Sequence, residues 1–315
     1  MGGRAFVRHA GPMTAQTTTR TVRTEDGVDL HVEVDDGPSP AVVLVHGFTA
    51  SLEEFALQRE TLRGRARTVL YDCRGHGRSR RRGRVGSPSI DQLGRDLGRV
   101  LDEVVPDGPV VLLGHSMGGM TVMSLARQRP ELFGPRVQGV FLLATSSGGL
   151  VEAGPVGLAV RLLRRLHLLA PLLLWLGLWA PLLERLRRRG TRLGARAYRH
   201  YLFGTSDATP ELVTQVQGLL EQTPVTVTTA FYATLLDHDE HASLEAMLDL
   251  PVTLLVGDSD RLTPASHSRR MAEALPDAEL VVVPGAGHSV NITRREVVDG
   301  ALLRLLDRVQ QQRAA

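Results

Sequence analysis

The chain has 315 residues, 43% of them apolar, which is enough for one substantial core or a core carrying an inserted subdomain. Its single cysteine, Cys73, excludes an internal disulfide and a cysteine-rich metal site. The isoelectric point near 9.6 invites a nucleic-acid reading, but the net charge is only +3, every basic residue is arginine and aromatic residues make up just 4%, so the basicity reads as an arginine bias and no nucleic-acid partner is expected.

Residues 1–18 contain no apolar stretch of signal-peptide type and read as a disordered tail. With the lone cysteine, this fits a cytoplasmic protein, with membrane association left open. "TVRTEDGVDLHVEV" then alternates apolar and polar residues on either side of Asp26-Gly27, the pattern of two strands joined by a tight turn. "AVVLV" (41–45) is a continuous apolar run, as in a strand buried on both faces. A helical stretch near 51–63 follows, then the strand "RTVLY" (67–71) and an Arg- and Gly-rich loop to about Ser89. Residues 90–104 read as a helix, "PVVLL" as a strand, "MTVMSLARQRP" as a helix closed by Pro130, and "VQGVFLLA" (137–144) as a strand.

The alternation stops near 146 and resumes near 239 with the strand "PVTLLVG", a helix over 265–275, the strand "AELVVVPG" and a helix over 293–311. Buried-type strands alternating with helices predict an α/β fold: a doubly wound, mostly parallel, eight-stranded sheet covered on both faces. The interruption is too long for a loop in a compact domain. The expected organisation is therefore a core in two parts, 19–145 and 239–312, with a helical cap over 146–238.

One junction stands out. In "GPVVLLGHSMGGMTV" a buried strand ends on Gly114-His115-Ser116-Met117-Gly118-Gly119 and a helix begins at once. A G-x-S-x-G at a strand-to-helix turn holds the serine in strained backbone angles, and small neighbours let the helix pass close to the strand. The competing reading is a serine capping a helix. A serine nucleophile needs a base oriented by an acid, and in doubly wound sheets such groups lie beyond the carboxyl ends of the strands. His288 follows the last strand in "LVVVPGAGHSV", and Asp258 and Asp260 follow the preceding one in "PVTLLVGDSDRLTP". An acyl-transfer site also needs donors for a developing oxyanion. The Met117 amide, just after the serine, is one candidate, and the Phe48 amide in "HGF" is the second, with Gly47 allowing close approach.

These stretches resemble the α/β-hydrolase fold superfamily, in its lid-bearing serine esterase and lipase branch. The residues that carry the resemblance are "HGF" (46–48), "DCRGHGRS" (72–79), "GHSMGG" (114–119), "GDSDRLTP" (257–264) and "GAGH" (285–288). It implies Ser116 as nucleophile, Asp260 as acid with Asp258 as second choice, His288 as base, Phe48 and Met117 as oxyanion donors, and neither metal nor organic cofactor. The extra arginines of "GRSRRRGR" (77–84) depart from the pattern by lengthening a loop. Serine at the elbow argues against dehalogenases and epoxide hydrolases of similar fold, which use aspartate there.

The segment 157–190, "GLAVRLLRRLHLLAPLLLWLGLWAPLLERLRRRG", carries no charge over 168–183 and arginines at both ends. A membrane span needs about twenty apolar residues, and this run is shorter and broken by Pro171 and Pro181. An interfacial helix contacting a membrane surface is a second reading. A lid lining an apolar pocket, with Trp175 and Trp179 on one helical face, is the third. The last two share an expected partner: a small apolar ester or lipid-like substrate. His238, just after the lid, is a weaker candidate for substrate contact. The expected activity is hydrolysis of a carboxylic ester with an apolar acyl or alcohol part. Carbon–carbon hydrolysis, thioester hydrolysis, perhydrolysis and acyl transfer use the same groups, and a non-catalytic small-molecule receptor of this fold is the alternative from another class.

Overall fold

The computed structural model of the chain describes residues 17–79, 88–150, 154–188, 199–205 and 208–314. Short runs rich in Val and Leu form eight strands: β1 (Thr17–Arg23), β2 (Asp29–Asp35), β3 (Ala41–Val45), β4 (Arg67–Tyr71), β5 (Val110–His115), β6 (Val137–Leu143), β7 (Val252–Gly257) and β8 (Glu279–Val283). The helices among the described residues are α1 (Ala56–Leu62), α2 (Ile90–Val104), α3 (Met117–Gln128), α4 (Gly154–Arg165), α5 (Leu169–Leu178), α6 (Ala180–Arg188), α7 (Pro210–Leu220), α8 (Val225–Leu236), α9 (Ala265–Ala274), α10 (Val290–Thr293) and α11 (Arg295–Ala314). The sheet begins at Thr17, two residues inside the expected tail, where the Thr17 hydroxyl donates to Asp35 Oδ1 at 2.6 Å. Residues 1–16, and the arginine-rich loop over 80–87, lie outside the described residues.

The strands form one sheet in the order β1-β2-β4-β3-β5-β6-β7-β8. β1 and β2 are antiparallel to their neighbours and every pairing from β4 to β8 is parallel. Alternate side chains divide the core into two layers, as a period of two requires. Val43, Val45, Leu112, Leu142 and Leu254 face Leu93 and Leu97 of α2, Val122 of α3 and Met271 of α9. Val42, Leu44, Leu113, Phe141 and Leu255 face Leu62 of α1 and Val298, Leu302 and Leu305 of α11. Each such buried side chain contributes about 1.5–3 kcal/mol relative to exposure, so the sheet is a rigid platform. Ser89 starts α2 by accepting the Gln92 amide at 3.0 Å.

Two consequences position the site. All the carboxyl ends from β3 to β8 lie along one edge. The strand order also reverses at β3, which has β4 on one side and β5 on the other, and this is where open α/β sheets place their crevices. Among the described residues the chain between β6 and β7 holds helices and no strand. It is tied to this same edge. The Thr223 hydroxyl donates to Thr49 O at 2.9 Å, the Ser289 amide donates to Leu202 O at 2.8 Å, and Gly204 pairs with Ala286.

Candidate active site

Ser116 sits between β5 and α3 with φ 52° and ψ −117°, a conformation that costs a non-glycine residue of order 1–3 kcal/mol. The surroundings impose it. The Ser116 amide donates to Leu143 O at 2.9 Å, and its carbonyl accepts from the Thr145 hydroxyl at 2.7 Å and the Gly119 amide at 3.0 Å. A Cβ on Gly118 would lie 1.9 Å from Val45 O, and one on Gly114 2.5 Å from the Gly118 backbone. Helix α3 therefore crosses β3 and β5 at backbone contact distance, possible only for glycine. The capping reading fails, because the Ser116 side chain makes no cap hydrogen bond to α3. Its hydroxyl takes no partner among the described residues, and it sits at the positive end of the α3 dipole.

His288 follows β8 and Asp260 follows β7, and the two are joined: His288 Nδ1–H donates to Asp260 Oδ2 at 2.8 Å. Asp260 is buried and fully occupied. It also accepts the Leu262 and Thr263 amides at 2.8 and 2.9 Å and the Thr263 hydroxyl at 2.9 Å. Burial works to raise its pKa, but the charge and hydrogen bond of His288, with the two amides, hold it below the usual carboxylate value. With Nδ1 protonated toward Asp260, His288 keeps a lone pair on Nε2. Asp258 does other work: exposed, it accepts the Gly285 amide at 2.8 Å and so pins the loop that carries His288.

The loop after β3 brings Gly47 against the serine, where a Cβ on Gly47 would stand 3.4 Å from Ser116 Cβ. The Phe48 and Met117 amides make no hydrogen bond to other groups among the described residues. Residues that sequence reasoning passed over hold this loop. Glu54 Oε2 accepts the Gly47 amide at 2.8 Å, and its Oε1 lies 3.0 Å from His115 Nδ1, an ion-pair contact whose angle falls short of a hydrogen bond. On the other side of its ring, His115 Nε2–H donates to His288 O at 3.1 Å. A carbonyl can only accept, so with the carboxylate facing Nδ1 the ring favours two protons. Burial opposes the charge, yet Glu54 and the His288 carbonyl raise the His115 pKa; His115 in turn lowers that of Glu54 against burial. His76, buried beneath Phe48, accepts the Thr49 amide at 3.2 Å on Nε2 and donates from Nδ1 to Arg74 O at 3.0 Å. Burial and nearby His46 lower its pKa to about 3, so it stays neutral.

A serine on a strained elbow, a histidine–carboxylate pair on adjoining strand ends and two amides with no partner among the described residues thus lie along one edge of the sheet. Residues 40–294 match the family model of the α/β hydrolase fold. The chain belongs to this family. It is 29% identical over 300 residues to a protein assigned as the carbamate hydrolase RutD in Caulobacter sp. (strain K31), covering 90% of this chain and 97% of that one. It is also 29% identical over 266 residues to the pimeloyl-[acyl-carrier protein] methyl ester esterase of Nitrosomonas europaea, covering 82% and 92%. Among solved structures, a thermophilic esterase from Thermogutta terrifontis superposes with a TM-score of 0.71 at 25% identity, covering 94% of this chain and 99% of that one. Family and relatives together support a hydrolase function.

In this α/β hydrolase the remaining candidates lie in or beside the inserted helices. Trp175 and Trp179 share a face, with ring centroids 6.0 Å apart, and each is about half exposed (53% and 48%). His238 is buried beside the carboxyl end of β6, bonded through Nε2 to Ser146 O at 3.0 Å, and burial lowers its pKa to about 4. A cleft of about 470 Å³ lined by Leu248, Pro251, Asp277 and Arg308 opens at the amino-terminal end of β7, the opposite edge from Ser116. Among the described residues no cluster of His, Cys, Asp and Glu has the geometry of a metal site.

Proposed function

We propose that the chain is a serine hydrolase that cleaves a carboxylic ester with an apolar acyl or alcohol portion. The observation that carries this reading is the 2.8 Å His288–Asp260 hydrogen bond at the sheet edge where Ser116 is held on a positive-φ elbow. In the proposed cycle His288 Nε2 takes the Ser116 proton as Oγ attacks the ester carbonyl carbon. The carbonyl π electrons move onto oxygen, and the anion lies against the Phe48 and Met117 amides. When the intermediate collapses the ester C–O bond breaks, and the alcohol leaves with the proton from His288. Water then repeats the steps on the acyl-enzyme, releasing the acid and restoring the Ser116 hydroxyl. Among the described residues the Ser116 hydroxyl has no partner; hydrogen bonds of this kind tighten when substrate arrives.

The inserted helices serve as the lid in this reading. Support comes from their ties to both active-site loops, Thr223 to Thr49 and Leu202 to Ser289, and from the contact between Phe231 of α8 and His76, with ring centroids 5.6 Å apart. A series of p-nitrophenyl esters of rising acyl length tests the proposal. Activity should rise with acyl length, and Ser116→Ala should lower kcat at least about a thousand-fold. An undiminished rate in Ser116→Ala refutes the nucleophile.

A further inference from the structure

Helix α5 breaks the usual rule for a helix at a protein surface. A surface helix normally pairs an apolar face with a polar one, and a helix that is apolar all round is buried in protein or in lipid. α5 reads LAPLLLWLGL and has no polar face. Its inner positions Leu169, Leu173 and Leu176 are buried or half-buried, while Leu174, Trp175 and Leu178, on the outer side, are 72%, 53% and 80% exposed. The open surface extends over Leu162, Leu166 and Leu168 on one side and Trp179 and Leu182 on the other. Single exposed leucines need no explanation, but a contiguous apolar surface marks an interaction site.

We infer that this surface docks on an anionic phospholipid bilayer. Charge selects the occupant. Residues 157–190 hold seven arginines and one acid, Glu184, and Arg161, Arg164, Arg165 and Arg185 are exposed at the two ends of the apolar stretch. Only Arg164 is tied down by a described acid, Asp237. A symmetric pairing of two copies through this patch would press arginine against arginine. An anionic lipid surface meets each feature with its complement: headgroups for the arginines, acyl chains for the leucines, and the interfacial zone that tryptophan favours. Among the described residues no helix is long and apolar enough to cross a membrane, so α5 lies in the plane of the interface with its outer face immersed. The lid would then face the lipid.

The chain supplies its own reporter, because Trp175 and Trp179 are its two tryptophans and both lie in the patch. Vesicles of phosphatidylcholine mixed with phosphatidylglycerol, added to the intact wild-type protein, should blue-shift the tryptophan emission and shield it from acrylamide. The protein should float with these vesicles and not with pure phosphatidylcholine. Leu174→Ser/Leu178→Ser, at positions already exposed, should keep the unfolding temperature and weaken vesicle binding at least about ten-fold. Arg161→Gln and Arg165→Gln should each weaken it about five-fold, the ratio equivalent to ~1 kcal/mol per basic residue near an anionic surface. Unchanged emission and no flotation overturn the proposal, as does equal affinity for the two vesicle types. A dimer that disappears in the leucine double variant, without vesicle binding by the wild type, assigns the patch to a second copy instead. None of these readouts uses turnover, so they stand or fall apart from the role of Ser116.

Discussion

The sheet edge and the inserted helices are built on opposite principles. At the edge, space is exhausted: Gly118, Gly114 and Gly119 each meet a neighbour at 2.6 Å or closer to an added Cβ. In the insert, Gly218 of α7 has nothing within 4 Å. The apolar side chains of the central strands are buried, whereas nine of the thirteen exposed large apolar side chains among the described residues lie between Leu162 and Leu182. Chemistry needs atoms held to fractions of an ångström, which close packing provides. Selection of a substrate or a surface needs exposed area and room to adapt. The contrast teaches that mutations in the two regions should fail in different measurements.

The sharpest difference should appear between the two aspartates after β7. Asp260→Asn leaves the geometry in place but reverses the preferred His288 tautomer, and should lower kcat by about 10⁴. Asp258→Asn, which only loosens the Gly285 anchor, should change kcat less than about ten-fold. Equal losses in the two would mean that Asp260 does not orient the base. Next comes packing. Gly118→Ala should destabilise the fold by about 3 kcal/mol or prevent folding, because backbone faces backbone there. Gly218→Ala should be neutral or stabilising by up to about 1 kcal/mol, since it adds helix propensity in open space. Thermal unfolding of both variants reads this directly.

Glu54→Gln probes the link between the two active-site loops, with an expected loss of about 2 kcal/mol. Its sign with pH follows from the two shifts. The raised His115 contributes stability that is complete below its unfolded value of about 6.5 and is lost as pH rises through its folded value. The lowered Glu54 contributes stability that is complete above about 4.5 and is lost as pH falls through its folded value. The stability gap between wild type and Glu54→Gln should therefore be widest near about pH 5–6 and narrow toward alkaline pH. A gap independent of pH would show that the pair is uncharged. The smallest effect belongs to the insert: Thr223→Val removes one hydrogen bond to Thr49, costs about 1 kcal/mol, and should raise KM a few-fold with kcat little changed.

Much of the edge was legible in the sequence because period and punctuation determine it. Continuous apolar runs mark the parallel strands, and Ser116, Asp260 and His288 each lie within a few residues past the end of one, at β5, β7 and β8. Asp258 and Asp260 are not separable in the sequence, since two residues in one loop differ only in which way they face; Asp260, held by the amides of Leu262 and Thr263, is the one that faces His288. Glu54 and His115 were illegible for a different reason. A glutamate in a short helical turn reads as solvent-facing, and its contacts to Gly47 and His115 join residues distant in sequence. The insert was readable as helical and apolar, but which leucines face outward depends on how α5 rests on α8, a tertiary fact.

The central claim is that Ser116 is activated by its surroundings, and an active-site-directed fluorophosphonate tests it without knowledge of the substrate. Incubation of the native protein followed by peptide mapping should place one phosphonyl adduct on Ser116, and Asp260→Asn should slow its formation by orders of magnitude. A native protein that remains unlabelled, or an adduct on another serine, would contradict the account.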